Sequence, residues 1–425
     1  MHNATAPVPD KKMLIAASTG NFIEWYEFAV YGFLATIIAK NFFQLEGESE
    51  LTGLILTYAA FALAFFCRPI GAMIFGRIGD RIGRKPTLIA VLLLMTSATF
   101  LIGLMPTYAV AGVAAPLLLT LLRMLQGLFA GGEFGGAVAL MTELAPPGKR
   151  GRYGAWQSFT VALGLLAGAA TVAVLAAVLT GDQLTRWGWR VPFLLALPLG
   201  VVALWLRTQL EEPPAFAAAQ HTLPAPLPVV VKAIVLGIGR MMGWSAAGYT
   251  FLVIMPSWLQ TSLHASFQQA LAATVLGNLG FALTILPAGR LSDRFGRRRI
   301  MLLAMVTVIV FSFPLLALLQ QPTTSVWLKA LAVMMAGGVV GIIAGPGPAM
   351  LAEMFPGRVR YTGLGLAYSL SNAVFSGCAG LIITGLIART GNVFIPAWYV
   401  TLTCIISAIA IMTLRADDHL KPLET

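Results

Sequence analysis

Gly76-Arg77-Ile78-Gly79-Asp80-Arg81-Ile82-Gly83-Arg84-Lys85 lies between two long apolar runs, and it returns as Gly289-Arg290-Leu291-Ser292-Asp293-Arg294-Phe295-Gly296-Arg297-Arg298. A carboxylate, two glycines and a set of cations recur in the same order, which makes the chain a pair of related halves. A second repeat agrees. Glu143 to Arg150 and Glu353 to Arg360 each combine a proline, a glycine and basic residues at a similar offset.

Outward from both copies the chain is apolar. Of its 425 residues 58% are hydrophobic and only 11% are charged, against roughly 25% charged in an ordinary soluble domain. Apolar runs fall near 13–40, 51–75, 87–106, 112–138, 153–180, 189–207, 230–258, 268–289, 300–319, 325–346, 360–387 and 392–414. Each is long enough to cross a hydrocarbon layer of about 30 Å as a helix. Lipid cannot satisfy backbone N–H and C=O groups, and runs of this length are too long for barrel strands. The expected fold is an all-α membrane protein: twelve transmembrane helices in two pseudo-symmetric six-helix bundles. Residues 1–207 and 230–425 form the bundles, and the proline-rich stretch 208–229, with Glu211 and Glu212, is a cytoplasmic linker.

The net charge of +11 is not gathered into a basic domain with interleaved aromatics, so a nucleic-acid partner is not expected. The cations instead occupy alternate turns: Lys11, Lys12, Arg77 to Lys85, Lys149 to Arg152, Arg207, Lys232, Arg290 to Arg299, Arg358, Arg360, Arg415 and Lys421 share one side. Lys40, Arg186, Arg190, Lys329 and Arg389 occupy the other. The positive-inside rule then puts both termini in the cytoplasm. The first apolar run holds Glu24 and Glu27 and lacks a cleavage-site pattern, so it reads as a retained span and not as a signal peptide. Cys67, Cys378 and Cys404 sit within apolar runs as packing residues, without a disulfide framework.

Enzymatic readings find little purchase. The sequence has no H-E-x-x-H, nucleophile elbow or phosphate loop, and its four histidines (His2, His221, His264, His419) lie away from span centres. Neither a metal, a cofactor nor ATP drive is expected.

The repeated G-x-x-x-D-R-x-G-R-[KR] pattern resembles the signature of the major facilitator superfamily. The resemblance implies that its glycines form tight cytoplasmic turns, while its carboxylate meets a neighbouring helix N-terminus and basic side chains. Asp80 with Arg84, and Asp293 with Arg297, would then be conformational latches. Further stretches resemble the metabolite:proton symporter family within that superfamily, whose members carry proline/betaine, α-ketoglutarate, citrate and shikimate. These are Gly20-Asn21-Phe22-Ile23-Glu24-Trp25-Tyr26-Glu27-Phe28, Arg68-Pro69-Ile70-Gly71, Arg123-Met124-Leu125-Gln126-Gly127, Gly131-Gly132-Glu133-Phe134-Gly135-Gly136, Trp187 to Phe193 and Ala352 to Pro356. Two positions depart from the family: residue 27 is Glu where Asp is usual, and Arg240 stands inside span seven. The chain ends soon after span twelve, so osmosensing through an extended coiled-coil tail is not expected.

Ionisable groups within spans are expensive and mark a substrate or proton pathway by default. Glu24 and Glu27 share a face of span one. Arg123, Gln126 and Glu133 share a face of span four, counted at 100° per residue. Glu133 reads either as a proton carrier or as the structural partner of Arg123, and Glu24 and Glu27 as proton carriers or as ties between spans. Arg123 reads as a substrate-carboxylate ligand or an ion-pair partner, with Gln126, Tyr26, Trp156 and Tyr249 as further expected substrate contacts, and Arg68 as a cap for carbonyls freed by Pro69. Arg240 reads as a second anion ligand or as a side chain reaching towards lipid headgroups. Trp25, Tyr26, Tyr31, Trp156, Trp244, Tyr249, Tyr368 and Tyr399 supply aromatic lining or packing. The expected function is proton-coupled symport of a small organic anion or zwitterion by alternating access, with a di- or tricarboxylate favoured. A proline/betaine-type osmolyte is the alternative substrate, and drug/proton antiport or a non-transport membrane role is the other class. Folds of this kind can function as monomers, and a monomer is the expected form.

Overall fold

The computed structural model describes residues 11–43, 49–82, 84–143, 145–146, 148–208, 226–355, 357–415 and 418–421. All regular structure among them is helical, as apolar runs require when their backbone groups must be satisfied within the segment. Among the described residues ten helices are long and apolar enough to cross a membrane. Span one is bent by 61° between Thr19–Phe33 and Ala35–Phe43. Span four begins as the shorter helix Ala114–Ala130, turns over Gly131 to Glu133, and resumes as Phe134–Glu143.

The remaining spans are Glu50–Ile82 (two), Arg84–Leu104 (three), Arg150–Val178 (five), Arg190–Thr208 (six), Phe267–Phe295 (eight), Arg297–Gln320 (nine) and Ile395–Met412 (twelve). Span seven runs from Leu227–Tyr249 through a π-helical turn into Met255–Leu263. Span eleven has the same build, Gly357–Ser371, a π-helical turn, then Ala379–Thr390. Span ten breaks after Val326–Ala344 and resumes at Gly347–Ala352, with Pro346 as the N-cap of the second piece. The breaks in spans four and ten occupy corresponding places in the two halves. Most of the expected linker, residues 209–225, lies outside the described residues.

Packing repeats as well. Span two lies on four, one on five, and three on six in the first half, as eight lies on ten, seven on eleven, and nine on twelve in the second. Between the halves, span five packs on span eight and span eleven on span two. In lipid there is no hydrophobic gain from joining two apolar helices, so close backbone approach has to supply the attraction. Glycines provide it: Gly127 and Gly131 press on the backbone of Ala64 and Arg68 across spans two and four, and Gly280 and Gly337 on that of Met334 and Gly277 across spans eight and ten.

The quoted repeat is mostly helix. Spans two and eight run through it to Ile82 and Phe295, beyond the ends expected at 75 and 289. Its glycines therefore divide their work. Gly296 (φ 90°) ends span eight in a conformation that side chains avoid, whereas Gly289 allows span eight to touch Gly151 and Ala155 of span five. Asp80 and Arg84 lie on helical backbone, but their side chains fall outside the described residues.

Candidate functional site

Span one presents its carboxylates to three neighbours. Asn21 fixes it to span five by donating to Gln157 O (3.2 Å) and Thr160 Oγ1 (2.8 Å). A turn later, Glu24 Oε1 lies 3.0 Å from Arg68 Nη2 of span two, both side chains being buried. Arg68 is thus an ion-pair partner, and not the carbonyl cap suggested by Pro69. Its guanidinium also lies over Phe65 (4.3 Å), Phe28 (4.4 Å) and Trp25 (5.6 Å).

Glu27 is 0% exposed, and neither carboxylate oxygen has a hydrogen-bond partner. Arg123 of span four covers the same face of span one, 4.1 Å from the Tyr31 ring and 4.7 Å from that of Phe28. Its Nη1 donates to Gln126 Oε1 at 2.6 Å, and Gln126 Nε2 donates in turn to Thr99 Oγ1. The Arg123 Nε and Nη2 make no hydrogen bond.

Glu133 does not meet Arg123. It pairs with Arg207 at the end of span six, and Arg207 also donates to Leu88 O at 2.8 Å. The sequence placed Arg207 among the flanking cations, yet it is 1% exposed. Gly20 of span one makes room for the pair, since a side chain there would occupy the space of the Arg207 guanidinium. Local pattern gave no signal for this partner: Arg207 lies 74 positions from Glu133 at the edge of an apolar run.

A cavity of about 40 Å³ lies between the halves. The first half lines it with Trp25, Gln157 and Ser158, the second with Trp244, Tyr249, Tyr368 and Asn372, among others. Tyr249 packs on Trp25 (5.9 Å between centroids) and Phe65 (5.3 Å), and its buried hydroxyl has no hydrogen-bond partner. Of the residues expected to bind substrate, Tyr249 lines this cavity; Arg123, Gln126, Tyr26, Trp156 and Arg240 do not. Tyr26 donates to Pro192 O at 3.0 Å, and Trp156 packs on Phe159. Arg240 turns towards span twelve, donating to Thr413 Oγ1 at 2.8 Å and Ala410 O at 3.4 Å. It does not face the cavity, where a second anion ligand was expected: the guanidinium lies against the end of span twelve.

At the end of the bundle that carries Arg150, Arg297 and Arg298, the basic end, charged groups join the halves. Asp293 accepts from the backbone N–H of Gly151 (2.7 Å) and Arg152 (2.9 Å), where the N-terminus of span five has donors free and a positive dipole end. Arg297 holds Asp293 at 2.8 Å and Glu353 at 3.1 Å, and Arg150 reaches Glu353 at 3.4 Å. Burial pushes the Glu353 carboxyl above its ordinary value, with Arg297 and Arg150 opposing. Arg150 also donates to the carbonyls of His419 and Lys421. The opposite end closes through neutral groups: Tyr58 with Ser257 (2.7 Å), Thr36 with Gln260 (3.2 Å), and Gln268 with Ala176 O (3.0 Å). The halves therefore meet at both ends around the cavity. Among the described residues no cluster of His, Cys, Asp and Glu has metal-site geometry.

The family described as Sugar (and other) transporter matches residues 12–225, and the Major Facilitator Superfamily matches residues 233–424. The Proline/betaine transporter of Escherichia coli (strain K12) is 33% identical over 432 residues, 97% of this chain and 85% of that protein. The Citrate-proton symporter of Klebsiella pneumoniae is 34% identical over 403 residues, 93% and 90% of the two chains. The crystal structure of a D-xylose-proton symporter superposes with a TM-score of 0.78 at 21% identity, covering 97% of this chain and 99% of that one.

Proposed function

The chain belongs to the major facilitator superfamily, in its metabolite:proton symporter family, and from that membership we propose that it couples proton entry to uptake of a small carboxylate-bearing metabolite. The halves, 1–207 and 230–425 joined by 208–229, rock about the central cavity and expose it to either side in turn. The basic end faces the cytoplasm, with both termini, across a bacterial inner membrane, and a single chain suffices.

One observation carries the proton assignment. Glu27 is fully buried with no hydrogen bond to either oxygen, and an unpaired carboxylate in such surroundings costs several kcal/mol when charged. A proton removes that cost, and access to water on one side restores the charge. Glu133, joined to Arg207 away from the cavity, is a strut in this reading. From residue 230 to Arg415 the sequence has only Asp293 and Glu353 as carboxylates, both at the basic end, so the coupling group belongs to the first half.

Carboxylate chemistry is common to the substrates named for the two relatives, proline or betaine and citrate. The cavity supports the zwitterion more than the tricarboxylate: its lining holds aromatic rings, amides and hydroxyls, and no guanidinium. Proteoliposomes with an inward proton gradient should concentrate the substrate, and a protonophore should abolish that. Accumulation that persists without any proton gradient would remove the symport assignment.

A further inference from the structure

We propose that the Glu24–Arg68 pair is the recognition site for a zwitterion that carries a carboxylate and an N–H-bearing ammonium group, each charge of the ligand taking one member of the pair. This deepens the reading above and rests on it.

The pair is closed in charge but open in hydrogen bonding. Glu24 Oε1 and Arg68 Nη2 are 3.0 Å apart, yet Arg68 Nε, Arg68 Nη2 and Glu24 Oε2 make no hydrogen bond. A guanidinium aligned on a carboxylate closes two parallel bonds; this one instead lies over the rings of Phe65 and Phe28, at 4.3 and 4.4 Å. Donors and an acceptor are therefore kept in reserve in a fully buried setting, where unused hydrogen-bonding capacity is costly. A ligand that claims them gains what the pair itself does not use.

The route from the cavity is one ring deep. Trp25 follows Glu24 in sequence and lines the cavity, and the Arg68 guanidinium lies 5.6 Å from the Trp25 ring. Tyr249, on the cavity wall, abuts both Trp25 and Phe65, and its unpartnered hydroxyl is a third polar contact. A shift of these two rings brings a ligand from the cavity to the pair.

Charge selects the ligand. Opening a buried ion pair leaves two charges without partners, a strongly unfavourable state. A zwitterion replaces both partners at once, its carboxylate on the Arg68 fork and its ammonium N–H on Glu24. A simple carboxylate satisfies Arg68 and abandons Glu24, and a tricarboxylate adds repulsion from Glu24.

Purified full-length protein in nanodiscs, titrated calorimetrically with L-proline, cyclopentanecarboxylate (the same ring without the ammonium) and citrate, tests this. Wild type should bind proline in preference to both other probes. Glu24→Gln should weaken proline at least tenfold and bring cyclopentanecarboxylate level with it or ahead; Arg68→Lys should weaken both. The double variant Glu24→Gln/Arg68→Gln, with no charge left unpaired, should keep its thermal transition and bind neither. Equal effects of Glu24→Gln on proline and cyclopentanecarboxylate overturn the proposal. So does wild-type binding of citrate alone, or of none of the three. Gradient-driven proline uptake with affinities insensitive to both residues removes the site and leaves symport standing. The affinity switch without any gradient-driven uptake keeps the site and removes the coupling.

Discussion

The two halves share a scaffold and differ in what they bury. Spans two and four press together through Gly127 and Gly131 as spans eight and ten do through Gly280 and Gly337. At mid-depth, however, the first half encloses Glu24, Glu27, Arg68 and Arg123, while the second offers neutral groups. Ser376 donates to Asn372 Oδ1 at 2.8 Å and to Ser245 O at 3.2 Å, and Ser245 and Ser371 share a hydrogen bond. A duplicated fold can thus keep its packing rules in both copies while the buried charges around the cavity come from one. A neutral wall facing a charged one allows a proton or ligand to change the field on one side without being matched on the other.

The sharpest way to break that comparison is at Glu27. Glu27→Gln should abolish gradient-driven accumulation, roughly a hundredfold loss in a range typical of removed proton-transfer groups, while counterflow of labelled substrate persists. Accumulation near wild type would place the proton elsewhere. Glu133→Gln should act differently, leaving Arg207 buried without its anion. Removing one partner of a buried pair costs about 3–5 kcal/mol, so thermal unfolding should move down by several degrees. A variant as stable as wild type but uncoupled would make Glu133 the carrier after all.

Asp293→Asn probes the join between the halves. It weakens charge-assisted bonds worth about 1.5–3 kcal/mol each, so turnover should fall about tenfold and a reporter cysteine at the basic end should react faster. Affinity in the closed state should change little, and unchanged turnover with unchanged reactivity would reduce the contact to ornament.

Glu353 gives the same join a pH dependence. Its carboxyl is raised by burial when the basic end is closed and returns towards the ordinary carboxylate range when water enters. The closed form therefore binds the proton more tightly, and linkage makes closure favoured at low pH and lost as pH rises through the raised value. Reporter-cysteine reactivity should climb over that window, and Glu353→Gln should flatten the climb. The smallest effect belongs to Arg240→Gln. With its guanidinium on Thr413 and Ala410, the Michaelis constant should stay within about twofold, at a stability cost of roughly 1–2 kcal/mol. A tenfold rise in that constant would return Arg240 to the substrate.

Much of this architecture was legible from hydropathy and the repeated turn, because lipid leaves apolar runs so few options. The ion pairs were less legible. Counting 100° per residue from Arg123 to Glu133 assumed one continuous helix, but the count crosses the Gly131 to Glu133 turn, and the two side chains part there. Periodicity also says which residues share a face without saying which helix that face meets. Arg68 could be placed in a span from sequence, whereas its partnership with Glu24 depends on where span one lies against span two. For Arg207 even the burial was hidden, since a cation ending an apolar run looks the same whether it turns in or out.

One contact has a mechanical side. Where span five crosses span eight, the backbones of Gly151 and Gly289 meet, with only the small side chains of Ala155 and Ser292 and the Arg297 guanidinium alongside, so that crossing would work as a smooth bearing if the halves rock as proposed. Interlocked side chains would have to disengage like gear teeth with each swing; bare backbone slides. Resistance to that motion would then come mainly from the adjacent charged clasp of Asp293, Glu353, Arg150 and Arg297. Replacing Gly289 by a bulky residue would jam the machine without touching either cargo.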